Sequence, residues 1–264
     1  MNKTTIQDVI DLMIAAVPTA PQEGAVDTVK AGNPEQVLTG IVTTFTATMD
    51  VLRQAVEVGA NFIITHEPTF YEHHDETAWL GDDLVYHTKK KFIEEHQLTI
   101  WRYHDYWHMH EPDGIMTGVL RKLDWEQYRV SDALVALPET TVGAIARHIK
   151  AHFQMPIVRM IGNPQQPCKR IAMMIGSPGG VRQIQAYEKW QADVVVGGET
   201  VEWQTCEYVR DANLMGHSKA LIIIGHAISE EDGMHYLAEW LRPQIDPAIA
   251  ITYVAVGEPA TLVV

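Results

Sequence analysis

Cysteine is nearly absent from this chain: Cys168 and Cys206 are the only two in 264 residues, and neither lies in a CxxC pair or another thiolate spacing. That excludes a disulfide framework and a structural zinc knuckle. Basic residues are also scarce. Twenty lysines and arginines stand against thirty-four acids, giving a formal charge of −14 that repels a phosphate backbone, so direct nucleic-acid binding is not expected. No run approaches the roughly 18 consecutive apolar residues of a bilayer crossing. The opening MNKTTIQDVIDLM lacks the charged-then-apolar pattern of a secretory signal, so a cytoplasmic protein without a membrane partner is expected. GxGxxG, the P-loop and GxSxG are missing as well.

Histidine, by contrast, is in excess: there are 13, with His66, His73 and His74 in one group and His104, His108 and His110 in another. Three short apolar runs end in metal-ligand residues. FIIT leads into His66-Glu67, TIWRY into His104-Asp105, and LIIIG into His226, with Glu230 four residues on. Such runs read as strands buried on both faces, typical of parallel sheets, whose ligands gather beyond the strands' carboxyl ends. One histidine after a strand is equally a cap or a core donor; three in the same position point to a metal site.

The candidate ligands are His66, Glu67, His104, His108, His226 and Glu230. His66 and Glu67 are neighbours at a strand end, so their side chains point apart and serve different partners. His226 is expected to leave its strand and Glu230 to open the next helix, where a carboxylate also suits the positive end of the dipole. In the stretch from Trp101 to Gly114, His104, His108, Asp105 and Asp113 cannot all be ligands; some must fix imidazole tautomers or stand near a bound water. His73, His74, Asp75 and Glu76 are candidates for the mouth of the site, with a charged surface loop the simpler account; the SPGG run from Ser177 to Gly180 is a candidate small-anion site, with a plain tight turn the simpler account. Imidazole and carboxylate without thiolate suit zinc, manganese, iron or cobalt. Six ligands accommodate two divalent ions more naturally than one, and such a pair activates a bridging water for hydrolysis.

Periodicity predicts a first helix over 5–17, a strand over 40–45, a helix marked by Met49, Leu52 and Val56 that stops at Gly59, a strand over 61–65, a helix over 83–96, a strand over 98–103 and a helix over 115–123. The second half repeats the pattern. Thr141 caps a helix carrying Val142, Ile145 and Ile149; strands follow over 171–175, 193–196 and 221–224, with helices between and after them, and a β-rich tail over 248–256. This alternation predicts an α/β protein in two comparable lobes, about 1–130 and 131–264.

These residues, in this order, resemble the NGG-interacting-factor-three-like family, the dinuclear metal centre hexameric proteins also called GTP cyclohydrolase 1 type 2. The matching motifs are His66-Glu67-Pro68, His104 with His108, Gly198-Glu199 after a late strand, and Gly225-His226 with Ser229-Glu230 and Gly233. The family has histidine where this chain has Glu67, and aspartate where it has His108. The resemblance implies two related α/β lobes with a dinuclear metal site at strand ends between them, a single family unit without an inserted central domain, and a homohexamer. It also implies a cyclohydrolase-like reaction on a nucleotide-like or phosphoester small molecule, with a metal-bridged hydroxide attacking and Glu67, Asp105 or Glu199 moving the proton. The alternative is a non-catalytic metal-binding scaffold or protein-interaction module.

Overall fold

A computed structural model describes residues 4–261 and 263; the first three residues of the opening segment lie outside the described ones. The chain divides into two compact α/β units. The first runs to Ile115 and takes in Gly233–Val256; the second comprises Met116–Asp232 and the residues from Gly257.

In the first unit, α1 (Ile6–Ala15) begins at a capping box in which Thr5 and Asp8 each accept the other's backbone N–H. Then come β1 (Val29–Ala31), β2 (Gly40–Thr44), α2 (Met49–Glu57), β3 (Phe62–Thr65), α3 (Leu84–Glu95), β4 (Thr99–Arg102) and the single-turn α4 (Asp105–Met109). Thr48 caps α2 and Asp83 caps α3. The helix α2 ends before Gly59, whose φ of +72° suits glycine.

The second unit contains α5 (Gly114–Lys122, entered from the first unit), β5 (Arg129–Ser131), β6 (Leu134–Thr141), α6 (Val142–His152), β7 (Arg159–Ile161), β8 (Pro167–Met174), α7 (Gly180–Lys189), β9 (Val194–Gly197), a π-helical turn (Glu202–Cys206), α8 (Glu207–Leu214) and β10 (Ala220–Ile223). Helix α9 (His226–Leu241) carries the chain back into the first unit, where β11 (Ala250–Tyr253) completes it.

The first sheet has the order β1-β4-β3-β2-β11, with β4, β3, β2 and β11 parallel and β1 antiparallel. The second has the order β5-β6-β8-β9-β10-β7, with β8, β9 and β10 parallel at its centre. Period-two alternation covers both faces of this second sheet. Ile171, Met173, Val194, Val196 and Ile222 pack with residues of α5 and α6, while Ala172, Met174, Val195, Leu221 and Ile223 pack with Ala186 and Tyr187 of α7 and Val209 of α8. In the first sheet Val42, Ile63 and Ile100 meet Val51, Leu52 and Ala55 of α2 and Ile93 of α3.

Two expectations change. The approximate boundary at residue 130 falls within the second unit, because Val119, Leu120 and Leu123 of α5 and the residues after it belong to that unit's core. The β-rich tail joins the first sheet, where β11 lies parallel to β2 with Ile251 opposite Ile41. No helix among the described residues is long and apolar enough to cross a membrane.

Candidate metal centre

Each unit carries a cluster of ligand-type residues at the carboxyl ends of its parallel strands. In the first, β3 and β4 lie in register, Thr65 opposite Arg102, so the residues that follow them emerge side by side. His66 is fully buried, and its backbone N–H donates to the carbonyls of Thr44 and Phe45. His104 follows Tyr103 and precedes α4, whose turn brings His108 round to it through an N–H···O bond of 3.1 Å to the His104 carbonyl. The three imidazoles gather closely: ring centroids are 4.4 Å apart for His66 and His104, and 5.1 Å for His66–His108 and His104–His108. One ligand atom from each lies within 4.8 Å of the others.

Carboxylates orient two of these rings. Asp105 Oδ1 lies 2.8 Å from His104 Nδ1, and Asp113 Oδ2 lies 3.0 Å from His108 Nδ1. With Nδ1 engaged, Nε2 is the nitrogen left to bind a metal, the arrangement typical of metal-ligating histidines. Burial, then the adjacent His66 and His108, push the His104 imidazole down to about 3, which keeps its lone pair available at neutral pH. Burial raises the Asp105 carboxyl, but the His104 contact and the Val26 N–H outweigh it and hold the group below its ordinary value. The donor set therefore fits a divalent transition metal: three clustered imidazoles, two steered by carboxylates and one kept neutral by its surroundings.

Two buried residues that the motifs did not reveal hold this cluster. Arg102 is fully buried in β4; its Nε donates to the His66 carbonyl at 2.9 Å, its Nη1 donates to the His73 carbonyl, and its Nη2 lies 3.5 Å from Glu67 Oε2. The other carboxylate oxygen of Glu67, Oε1, is 3.7 Å from His104 Nε2. Asp27 accepts the backbone N–H groups of His104, Asp105 and Tyr106 and so anchors the start of α4. A charge inside the buried run TIWRY was the only signal for Arg102. Asp27 had none, since its three partners are more than seventy residues away. The His73 ring centroid lies 6.4 Å from that of His104, so this loop lies at the mouth of the cluster, the less simple of the two accounts the sequence allows.

In the second unit Glu230 does not open a helix that His226 precedes; both lie on α9, four residues apart on one face, because the helix begins at His226 itself. His226 Nε2 is 3.0 Å from Glu230 Oε2, and Nδ1 is 2.9 Å from Glu199 Oε1. The two ring nitrogens of His226 thus each face a carboxylate, the buried Glu230 at Nε2 and the more exposed Glu199 at Nδ1, an imidazole and carboxylate pair of the kind that a divalent cation takes as ligands. Backbone geometry fixes both carboxylates. Gly198 follows β9 and its N–H donates to the Met174 carbonyl; the Glu199 N–H donates to the Gly176 carbonyl. The Ser177 hydroxyl donates to Glu199 Oε2 at 2.9 Å, so the SPGG turn buttresses this cluster. Ser229 Oγ accepts the Gly176 N–H and donates to the His226 carbonyl.

The sequence profile of the Duf34/NIF3 (NGG1p interacting factor 3) family matches residues 4–257. A GTP cyclohydrolase 1 type 2 homolog of Clostridium perfringens is 22% identical over 254 residues, 91% of this chain and 92% of that protein. One of Buchnera aphidicola is 23% identical over 234 residues, 86% of this chain and 87% of its own. Among solved structures, a Bacillus cereus protein related to NIF3 superposes with a TM-score of 0.80 at 14% identity, covering all of both chains. A Staphylococcus aureus hypothetical protein gives 0.76 at 20% identity, covering 99% of this chain and 100% of its own. These structural likenesses establish the fold.

Proposed function

The chain belongs to the Duf34/NIF3 family, and from that premise we propose that it is a metal-dependent hydrolase of a small organic molecule, holding two divalent ions of zinc, manganese, iron or cobalt. One observation carries the reading: Asp105 and Asp113 occupy Nδ1 of His104 and His108, turning both rings into oriented Nε2 ligands beside His66. His66, His104 and His108 hold one ion; His226 Nε2 and Glu230 Oε2 hold the other.

Such ions, when bound, acidify a water toward neutral pH and polarise the bond to be cleaved. The chain's own groups do the rest. Asp105 and Glu199, each bonded to an imidazole Nδ1, keep the rings in the ligating tautomer. Glu67 is the proton acceptor, through Oε1 beside His104 Nε2, and Arg102 steadies its Oε2. The name of the Clostridium and Buchnera relatives makes nucleotide-like rings and phosphoesters the first substrates to assay.

Association into a homohexamer belongs to the same proposal. It is supported by large apolar side chains left in solvent, with Trp203 77%, Leu214 79% and Met215 71% exposed. Light scattering should give about six times the 29.7 kDa chain mass.

The test is turnover by metal-loaded protein across phosphoesters, amides and purine rings, beside Glu67→Gln. Loss of turnover in Glu67→Gln with metal content intact supports the reading. A fully loaded wild-type chain that turns over none of these classes would favour a non-catalytic metal-binding scaffold.

A further inference from the structure

Beside the His226–Glu230–Glu199 cluster, the second unit contains a cavity of about 470 Å³, within the size range of small-molecule sites. Much of its wall is aliphatic. Met155 and Ile157 line it from the segment before β7, Ile223 and Ile224 from the end of β10, and Ile228 from the first turn of α9. Ile157 is 50% exposed, an unusual position for a large aliphatic side chain unless something covers it.

The charges around this cavity are uneven. Two carboxylates line it, Glu199 and Glu258, the latter lying so close to Gly225 that a Cβ there would sit 2.7 Å from Glu258 Oε1. Among the described residues the one cation in its lining is Arg159, whose Nη1 pairs with Glu202 Oε1 at 2.7 Å. Among the described residues no lysine lines it, and the chain as a whole carries a charge of −14. A triphosphate laid along this aliphatic wall would lose its water without gaining hydrogen bonds in exchange, and Glu258 would stand beside it.

We infer that this cavity binds the non-reacting part of the substrate, and that this part is an apolar chain or ring, neutral or cationic, rather than a polyphosphate. The inference rests on the hydrolase reading above: the reacting group lies at the Glu199 end, and the apolar part extends along Ile223, Ile224 and Ile228 toward Ile157.

The experiment follows the δ-methyl signals of Ile223, Ile224 and Ile228 in isotope-labelled full-length protein with four probes: 4-phenylbutanol, 4-phenylbutylamine, 4-phenylbutyl phosphate and GTP. The alcohol and the amine should shift these methyls with apparent affinities at least about tenfold tighter than the phosphate or GTP. Ile228→Trp, which fills the cavity, and Ile157→Asp, a change at its exposed rim, should each weaken the alcohol by roughly tenfold with metal content unchanged. If GTP or the phosphate shifts these methyls more tightly than the alcohol, or if no probe shifts them, the inference is overturned. Metal content is measured separately, so its failure and this one are distinguishable: alcohol binding to a chain that takes up no metal leaves the cavity assignment standing and sinks the hydrolase.

Discussion

Gly176 and Glu230 are in such close contact that a Cβ on Gly176 would fall 2.1 Å from Glu230 Oε1. The glycine has φ of +66°, and its N–H is held by Ser229, so strand end and helix start meet with no room for a side chain. Gly176→Ala must therefore move Glu230 or the backbone. The expected outcome is loss of one bound metal equivalent while the ion at His66, His104 and His108 remains, with a stability cost on the order of 1–2 kcal/mol for the left-handed residue. Plasma mass spectrometry and a urea titration measure the two effects. An unchanged metal content would mean that Glu230 is no ligand.

Asp105→Asn and Asp113→Asn remove the carboxylates that hold Nδ1 of His104 and His108. Each should weaken metal binding roughly 10- to 100-fold without altering the fold, and calorimetric titration with zinc reads this directly. If affinity is unaffected, these carboxylates do not act on the ligating tautomer.

Arg102→Met leaves the buried His66 carbonyl, and the part-buried one of His73, without their donor. Loss of roughly 2–4 kcal/mol of stability is expected in urea denaturation, since orphaned buried acceptors are expensive. Arg102→Lys should recover only part of it, because an ammonium cannot reach three acceptors with the fixed fork of a guanidinium.

Lys89 yields a pH prediction with a definite sign. Its ammonium donates to the Thr69 carbonyl at 2.6 Å, and burial pulls its pKa down to about 8 from the 10.5 of an exposed lysine. Between those values the unfolded chain carries a proton that the folded chain does not. Stability from this group therefore rises as pH goes from about 8 to 10.5 and is lost as pH falls back through that window, by an amount on the order of 2 kcal/mol. Wild-type protein should gain stability relative to Lys89→Met across this range; parallel curves would contradict the assignment.

Much of the fold was legible because its central strands are short, continuous apolar runs. The strand expected over 61–65 is β3 at Phe62–Thr65, and the one over 221–224 is β10 at Ala220–Ile223. Thr141 caps α6 as expected, accepting the Ala144 N–H. The strands toward the sheet edges escaped notice for a physical reason: β6, second from its edge, is only half buried along LVALPETT and contains Pro138, and the edge strands β1, β5 and β7 have three residues each. The return of β11 to the first sheet depends on pairing two hundred residues apart, which no local pattern records.

The site divides in the same way. Residue types and strand-end positions marked His66, His104, His226 and Glu230. They did not mark the helical turn of α4 that brings His108 to His104, nor the start of α9 at His226. Asp27 was invisible because its role lies in accepting backbone N–H groups, which any loop carboxylate does if the fold brings it there.

The central claim is that each cluster binds an ion, and metal content per chain tests it most directly. Wild-type protein, His104→Ala and Glu230→Ala would be reconstituted with zinc or manganese, desalted and measured by plasma mass spectrometry. The account requires about two ions per chain in the wild type and about one in each variant. A wild-type chain that stays empty after reconstitution, or variants that keep both ions, would contradict it.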